Sequence, residues 1–175
     1  CEAGTWQNET GQDSCKDAES GYYSEGTVGG FGVTVTSVAS SQTPCAAGTY
    51  SNYGTTTASS DRASCTDAAA GYYSNGTITV NGIVETATIQ TACSAGTWQD
   101  QTGQGSCKDA DAGYYSHGTI TVSGLTNGAI SQTACAAGTW QNETGQDSCK
   151  NAEAGYYSPG TATFSATLGW ANATA

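Results

Sequence analysis

Two cysteines recur in each of four copies of one sequence phrase, and this repeat limits the possible folds more than any other feature. The copies begin at Cys1, Cys45, Cys93 and Cys135, spaced by 44, 48 and 42 residues. Each opens with Cys-x-Ala-Gly-Thr, and each later carries Gly-Tyr-Tyr-Ser-x-Gly-Thr. A period of this length is typical of repeat architectures, whose units bury their faces against one another. We therefore expect repeats at 1–44, 45–92 and 93–134, and an incomplete fourth at 135–175.

The composition offers little material for an ordinary core. Val, Ile, Leu and Phe total 16 of 175 residues, and the net charge is −11. Chains so poor in these residues and so highly charged tend to be disordered. Eight cysteines and 14 Trp and Tyr residues can replace such a core, through cross-links and large ring areas. Paired cysteines and a Ser- and Thr-rich chain indicate an oxidising, extracellular location.

Several classes of function are disfavoured. No stretch approaches the roughly 20 apolar residues of a membrane span. Four basic residues among 175 cannot neutralise a phosphate backbone, so we expect no nucleic-acid partner. A single histidine and regularly spaced cysteines fit neither a zinc site nor a nucleophile triad. We expect a non-enzymatic protein without a cofactor.

Alternating β-branched residues predict an all-β fold of small, disulfide-rich β-hairpin modules in an elongated tandem array, with much irregular structure. The clearest signal is Thr77–Ile89, where such residues flank Asn81-Gly82, a strong hairpin turn signal. Thr119–Leu125 gives a second hairpin. Weaker signals occur at Val28–Val38 and Thr161–Trp170. No helical period of useful length appears.

The cysteines can pair in two plausible ways. Repeats of one design should close alike, which favours pairing within each repeat: Cys1–Cys15, Cys45–Cys65, Cys93–Cys107 and Cys135–Cys149. The alternative joins neighbouring repeats, for example Cys15 to Cys45. It leaves Cys1 and Cys149 unpaired within the chain.

The phrase Cys-x-x-Gly-Thr-[Trp/Tyr]…Cys…Gly-Tyr-Tyr-Ser resembles the cysteine-rich repeat of ephrin-receptor-like and TNF-receptor-like extracellular modules. The resemblance covers all four repeats and implies ladders of small disulfide-closed β-units, with the opening cysteine bonded to the next one. This chain departs from that pattern because the family's second disulfide is missing. Where the family has one cysteine of that disulfide, every repeat of this chain has an alanine: Ala18, Ala68, Ala110 and Ala152. Near the position of the other cysteine, the first three repeats have a glutamine: Gln42, Gln90 and Gln132. The receptors bind their ligands through variable loops that have no match in this sequence, so the resemblance assigns no ligand-binding residue to this chain.

One repeat position is always aromatic, and we interpret it as a structural ladder between adjacent units. A row of binding platforms is the alternative. The ladder residues are Trp6, Tyr50, Trp98 and Trp140.

Acidic residues cluster around the second cysteine of each repeat, and clustered carboxylates can bind Ca²⁺. The spacing is not that of an EF-hand or a repeat-toxin calcium loop, so we expect a solvated acidic face and no metal, with a Ca²⁺ site as the alternative. His117 stands where the other repeats have Glu25, Asn75 and Pro159, which indicates a tolerant surface turn.

Four Asn-x-Thr sequons predict N-glycans, and 47 Ser and Thr residues leave room for O-glycans. Two of the sequons, those of Asn8 and Asn142, share one repeat position. The acceptors are Asn8, Asn75, Asn142 and Asn172.

These features predict an extracellular structural protein: a glycosylated subunit of a surface filament, flagellar hair or coat that assembles head to tail with itself. The alternative is the ligand-binding ectodomain of a receptor or adhesin. Neither end of the repeat array supplies a polar capping unit. We therefore predict that Phe164, Leu168 and Trp170 of one subunit pack against the first repeat of the next, because such open contacts generate filaments.

Overall fold

Short β-strands and turns make up the computed structural model of the chain, which describes residues 1–27, 38–53, 62–122 and 125–161. These residues form no α-helix, so the all-β prediction is confirmed. No helix among them is long and apolar enough to cross a membrane. The strands of the described residues are β1 (Thr5–Trp6), β2 (Lys16–Asp17), β3 (Tyr22–Tyr23), β4 (Thr43–Pro44), β5 (Thr49–Tyr50), β6 (Thr66–Asp67), β7 (Tyr72–Tyr73), β8 (Ile78–Val80), β9 (Ile83–Glu85), β10 (Thr91–Ala92), β11 (Thr97–Trp98), β12 (Lys108–Asp109), β13 (Tyr114–Tyr115), β14 (Ile120–Val122), β15 (Leu125–Asn127), β16 (Thr133–Ala134), β17 (Thr139–Trp140) and β18 (Lys150–Asn151).

The strands form antiparallel pairs of three kinds. The first kind closes the disulfide loop of each repeat: β1–β2, β5–β6, β11–β12 and β17–β18. The second joins a Tyr-Tyr strand to the strand that precedes the next repeat's first cysteine: β3–β4, β7–β10 and β13–β16. The third consists of the hairpins β8–β9 and β14–β15. Both strands of each such pair belong to one repeat, so the second kind of pair closes the second half of that repeat.

Two of the predicted hairpins are confirmed. In repeat 2, Val80 pairs with Ile83 across Asn81 and Gly82, whose φ angles are 53° and 80°. Two successive positive φ angles are what a type I′ turn requires, and Asn-Gly adopts them readily. In repeat 3 the β14–β15 pair forms the second hairpin. The weaker signals at 28–38 and 161–170 lie almost entirely outside the described residues.

Alanines and cysteines make up most of the buried apolar residues, and Tyr53 is the large exception among the described residues. Ala18, Ala68 and Ala110 have no exposed surface, and three opening cysteines are at most 2 % exposed. The large aliphatic side chains lie outside instead: Ile83 and Ile89 are 68 % and 63 % exposed. The fold therefore depends on cross-links and hydrogen bonds more than on aliphatic packing.

The chain forms two compact units. Unit 1 consists of Cys1–Ala68, Ser74–Gln90 and Gly103–Gly105. Unit 2 consists of Ala69–Tyr73, Thr91–Thr102 and Ser106–Ala175. Most of repeats 1 and 2 belongs to unit 1, and most of repeats 3 and 4 belongs to unit 2.

Candidate functional site

Each repeat contains one disulfide that closes its own loop. The four bonds are Cys1–Cys15, Cys45–Cys65, Cys93–Cys107 and Cys135–Cys149. No cysteine is free. The paired Cα atoms lie 5.7 or 5.8 Å apart, within the ordinary range for a disulfide.

A buried glutamine fills two of these loops. Gln99 and Gln141 are 2 % and 1 % exposed, the largest fully buried side chains among the described residues. The Nε2 of Gln99 donates to the Ser106 carbonyl at 2.9 Å, and its Oε1 accepts from the Gln101 N–H at 3.2 Å. Sequence reasoning missed these residues. The signal was the recurrence of Gln directly after Trp in repeats 1, 3 and 4.

Each ladder tryptophan lies against a lysine of its own repeat. The Nζ atoms of Lys16, Lys108 and Lys150 lie 5.2, 4.9 and 5.1 Å from the Trp6, Trp98 and Trp140 ring centroids. The cause is strand register, because each of these lysines is the direct cross-strand partner of its tryptophan. These cation–π contacts give the rings a neighbour that the ladder interpretation did not anticipate.

In repeat 3 the same lysine also binds a carboxylate. Lys108 Nζ lies 2.6 Å from Asp100 Oδ1. The hydrogen bond from Lys108 holds the pKa of the Asp100 carboxyl below its ordinary value. In repeats 1 and 4 the equivalent residue is a sequon asparagine, and the lysine lies 3.7 Å from Glu9 or Glu143.

Three predicted glycan acceptors lie on the surface. Asn8, Asn75 and Asn142 are all exposed, as glycan attachment requires. The Oδ1 of Asn8 accepts a hydrogen bond from Lys16 Nζ at 2.9 Å. The fourth acceptor, Asn172, lies outside the described residues.

The acidic residues do not converge on a metal site. Across the part of the chain that the structure describes, no group of three or more His, Cys, Asp or Glu side chains is placed to hold an ion. His117 is exposed, and its ring meets Tyr115 edge-on at a centroid distance of 4.9 Å.

Main-chain groups join repeat 4 to repeat 3 within unit 2. The Gly113 N–H donates to the Gln141 carbonyl at 2.6 Å, and the Gly145 N–H donates to the Ala110 carbonyl at 2.7 Å. The Ser116 N–H donates to the Gln146 carbonyl at 3.0 Å. We call Gln141–Gln146 the docking loop of repeat 4 and Ala110–Ser116 the junction face of repeat 3. The same names are used for the equivalent residues of other repeats.

Two of the same bonds recur within unit 1. The Gly103 N–H donates to the Ala68 carbonyl at 2.8 Å, and the Ser74 N–H donates to the Gln104 carbonyl at 3.1 Å. The loop of repeat 2 has a different sequence, and there Arg62 Nη1 donates to the Ala18 carbonyl at 2.9 Å. The Arg62 guanidinium thus takes the place of the glycine N–H that the other two loops use. In all three contacts the acceptor is the carbonyl of the equivalent alanine, which is Ala18, Ala68 or Ala110.

Glycine is required where the docking loop meets its neighbour. The Gly145 carbonyl lies where a Cβ on Gly96 would have to be, and the Gly103 carbonyl stands in the same relation to Gly48. Gly96 and Gly48 are buried and have φ angles of 83° and 90°. Any larger residue would therefore clash with backbone and also adopt a strained φ.

The predicted interface residues Phe164, Leu168 and Trp170 lie outside the described residues. The candidate site is therefore the recurrent contact between docking loop and junction face, together with the exposed sequons. No protein-family model matches the chain, and no curated protein is significantly similar in sequence.

Proposed function

We propose that this chain is an extracellular, non-enzymatic structural repeat protein. In this proposal it is a glycosylated subunit of a surface filament, flagellar hair or coat, and it assembles head to tail. Four disulfides and the absence of free thiols suit an oxidising compartment.

One observation carries the proposal: repeats adhere through main-chain groups. The bonds from Gly145 to Ala110 and from Gly103 to Ala68 use atoms that every repeat possesses. A contact made mainly by main-chain groups, with a side chain as donor only at Arg62, can recur from one repeat to the next. Contacts of this head-to-tail kind produce open assemblies when they do not close into rings.

The surface composition is consistent with this role. The charge of −11 favours solubility before assembly, and the exposed sequon asparagines are accessible for glycans. The resemblance to cysteine-rich extracellular modules also supports an extracellular array.

Electron microscopy of native material tests the proposal. Filaments or sheets with an axial or lattice repeat, labelled by an antibody against the Cys135–Cys149 loop, are the expected result. Antibody labelling confined to dispersed single particles would contradict it. An antibody against an unrelated surface protein of the same preparation serves as the control.

The alternative is a ligand-binding ectodomain, and the β8–β9 hairpin favours it. Val80, Ile83 and Val84 are 45 %, 68 % and 50 % exposed, so the hairpin presents an apolar surface. A receptor or adhesin could use such a surface to recognise a partner. Replacing Ile83 and Val84 with Thr, which keeps β-branching, should then abolish attachment to the target cell and leave filaments unaffected.

A further inference from the structure

Repeat 4 has a junction face that no described residue covers. The face consists of Ala152–Ser158. The N–H groups of Gly155 and Ser158 form no hydrogen bond among the described residues, whereas their repeat-3 equivalents donate to repeat 4. Tyr156 and Tyr157 are 77 % and 90 % exposed and pair with no strand among the described residues. The tyrosines of the other three pairs are half-buried, and each of those pairs is hydrogen-bonded to a second strand. The junction face of repeat 4 therefore retains main-chain donors that are occupied in repeat 3.

Repeat 1 has the complementary part. Its docking loop is Gln7–Gln12. Among the described residues, nothing pairs with the carbonyls of Gln7 and Gln12 or the N–H of Gly11, and a Cβ on Gly11 would meet nothing within 4 Å. Residues 1–24 and 135–158 are identical at 21 of 24 positions, and all six residues of the two docking loops match. The loop of repeat 1 is thus the same as the loop that occupies the junction face of repeat 3.

We propose that the docking loop Gln7–Gln12 of one copy binds the junction face Ala152–Ser158 of a second copy. The internal contact assigns the hydrogen bonds. Gly155 donates to the Gln7 carbonyl, and Ser158 donates to the Gln12 carbonyl. Gly11 donates to the Ala152 carbonyl. This inference rests on the proposed function and specifies its head-to-tail contact, because it joins two different surfaces of the chain.

Gly138 provides space for this contact. Its equivalent Gly96 is buried beneath the Gly145 carbonyl. Gly138 itself is exposed, and a Cβ there would meet nothing within 4 Å. In the proposed contact, the Gly11 carbonyl of the second copy lies against Gly138 as the Gly145 carbonyl lies against Gly96. The methyl group of an alanine at position 138 would occupy the space that this carbonyl needs.

Sedimentation velocity over a range of protein concentrations tests the contact. The variants are Gly138→Ala and the control Gly82→Ala. These glycines have φ angles of 84° and 80° and open space at Cβ, so they share the backbone strain. Only Gly138 lies beside the junction face. We expect Gly138→Ala to raise the apparent dissociation constant by roughly tenfold or more and Gly82→Ala to leave it near that of the parent.

Photo-crosslinking gives a second readout that does not depend on a strained variant. Benzoylphenylalanine replaces Tyr157, which is 90 % exposed and next to Ser158. We expect crosslinked dimers whose mapped peptide contains residues 7–12. The same probe at Ile83 of the β8–β9 hairpin is the control and should not give that peptide.

The outcomes separate this inference from the proposed function. If the parent protein self-associates and Gly138→Ala does not weaken that association, the inference is overturned and the filament proposal stands. The same holds if association is lost in Trp170→Ser but not in Gly138→Ala. Crosslinks from position 157 to residues 162–175 of the same chain would mean that the chain covers its own face, and would also overturn the inference. A parent protein that stays monomeric at every concentration would overturn both.

Discussion

The carbonyl oxygen of Gly145 lies where a Cβ on Gly96 would have to be, whereas the equivalent position at Gly138 is open. The φ angles of Gly96 and Gly138 are 83° and 84°, so alanine is equally strained at both sites. The two positions therefore form a natural pair for separating backbone strain from steric exclusion.

Gly96→Ala should accordingly cost more stability than Gly138→Ala. We expect about 1–2 kcal/mol from the positive φ in both variants. Gly96→Ala should lose about 1–3 kcal/mol more because the junction must open. Urea unfolding at protein concentrations low enough to keep the chain monomeric measures both free energies. Equal losses would mean that the contact between repeats 3 and 4 adds no stability.

The buried glutamine of the disulfide loop should also be sensitive. Gln99→Ala removes the partners of the Ser106 carbonyl and the Gln101 N–H. Both bonds are part-buried, and the truncation also removes a fully buried side chain, so we expect a loss of about 1–2 kcal/mol in urea unfolding. Gln101→Ala, at an exposed position of the same loop, is the control and should change stability by less than about 0.5 kcal/mol. A neutral Gln99→Ala variant would contradict this role.

Disulfide connectivity can be checked by peptide mapping without reduction. Each repeat should give one peptide pair that joins its own two cysteines. A peptide joining Cys15 to Cys45, or Cys65 to Cys93, would show the alternative pairing. Replacing Cys93 and Cys107 together with Ser should lower the free energy of unfolding by about 3 kcal/mol, as expected for a loop of this length.

The Asp100 carboxylate should titrate differently from an ordinary surface aspartate. Its pKa is lowered by the hydrogen bond from Lys108, so the pair stabilises the fold at pH values above the ordinary pKa of an aspartate. That stabilisation is lost as the pH falls through the lowered pKa of Asp100. We expect an NMR titration at low salt to give a midpoint below the ordinary one. Lys108→Gln should raise it, and identical midpoints in the two proteins would contradict the assignment.

N-glycan occupancy has a direct test. Enzymatic removal of N-glycans from native material should lower the apparent mass and convert Asn8 and Asn142 to Asp. Both residues are exposed, so the enzyme should reach them. Quadruple replacement of the sequon asparagines by Gln provides the control. An apparent mass that enzyme treatment leaves unchanged would remove the N-glycan prediction.

Local signals made part of this fold predictable. Asn81-Gly82 specifies its own turn, so the β8–β9 hairpin could be located from sequence. The recurring pair of cysteines likewise favoured the within-repeat disulfides that the structure contains. These features depend on neighbours in sequence or on the repeat itself.

Other features depended on packing that sequence does not record. Gln99 reads as an ordinary polar residue until the closed loop surrounds it. Trp98 was interpreted as part of a ladder of rings, and the contact with Lys108 that the cross-strand register creates was not predicted. That no described residue covers the junction face of repeat 4 is evident only by comparison with the covered face of repeat 3. Tyr156 and Tyr157 have the same sequence as the half-buried tyrosine pairs of the other repeats.

Adhesion through main-chain atoms also affects how a gene for such a protein can change. A crossover between the coding regions for residues 1–24 and 135–158 would join segments that already match at 21 of 24 positions. The recombinant would keep the glycines and carbonyls of each junction, so no compensating mutation would be required. The number of repeats can therefore vary during evolution while the geometry of each contact is inherited unchanged.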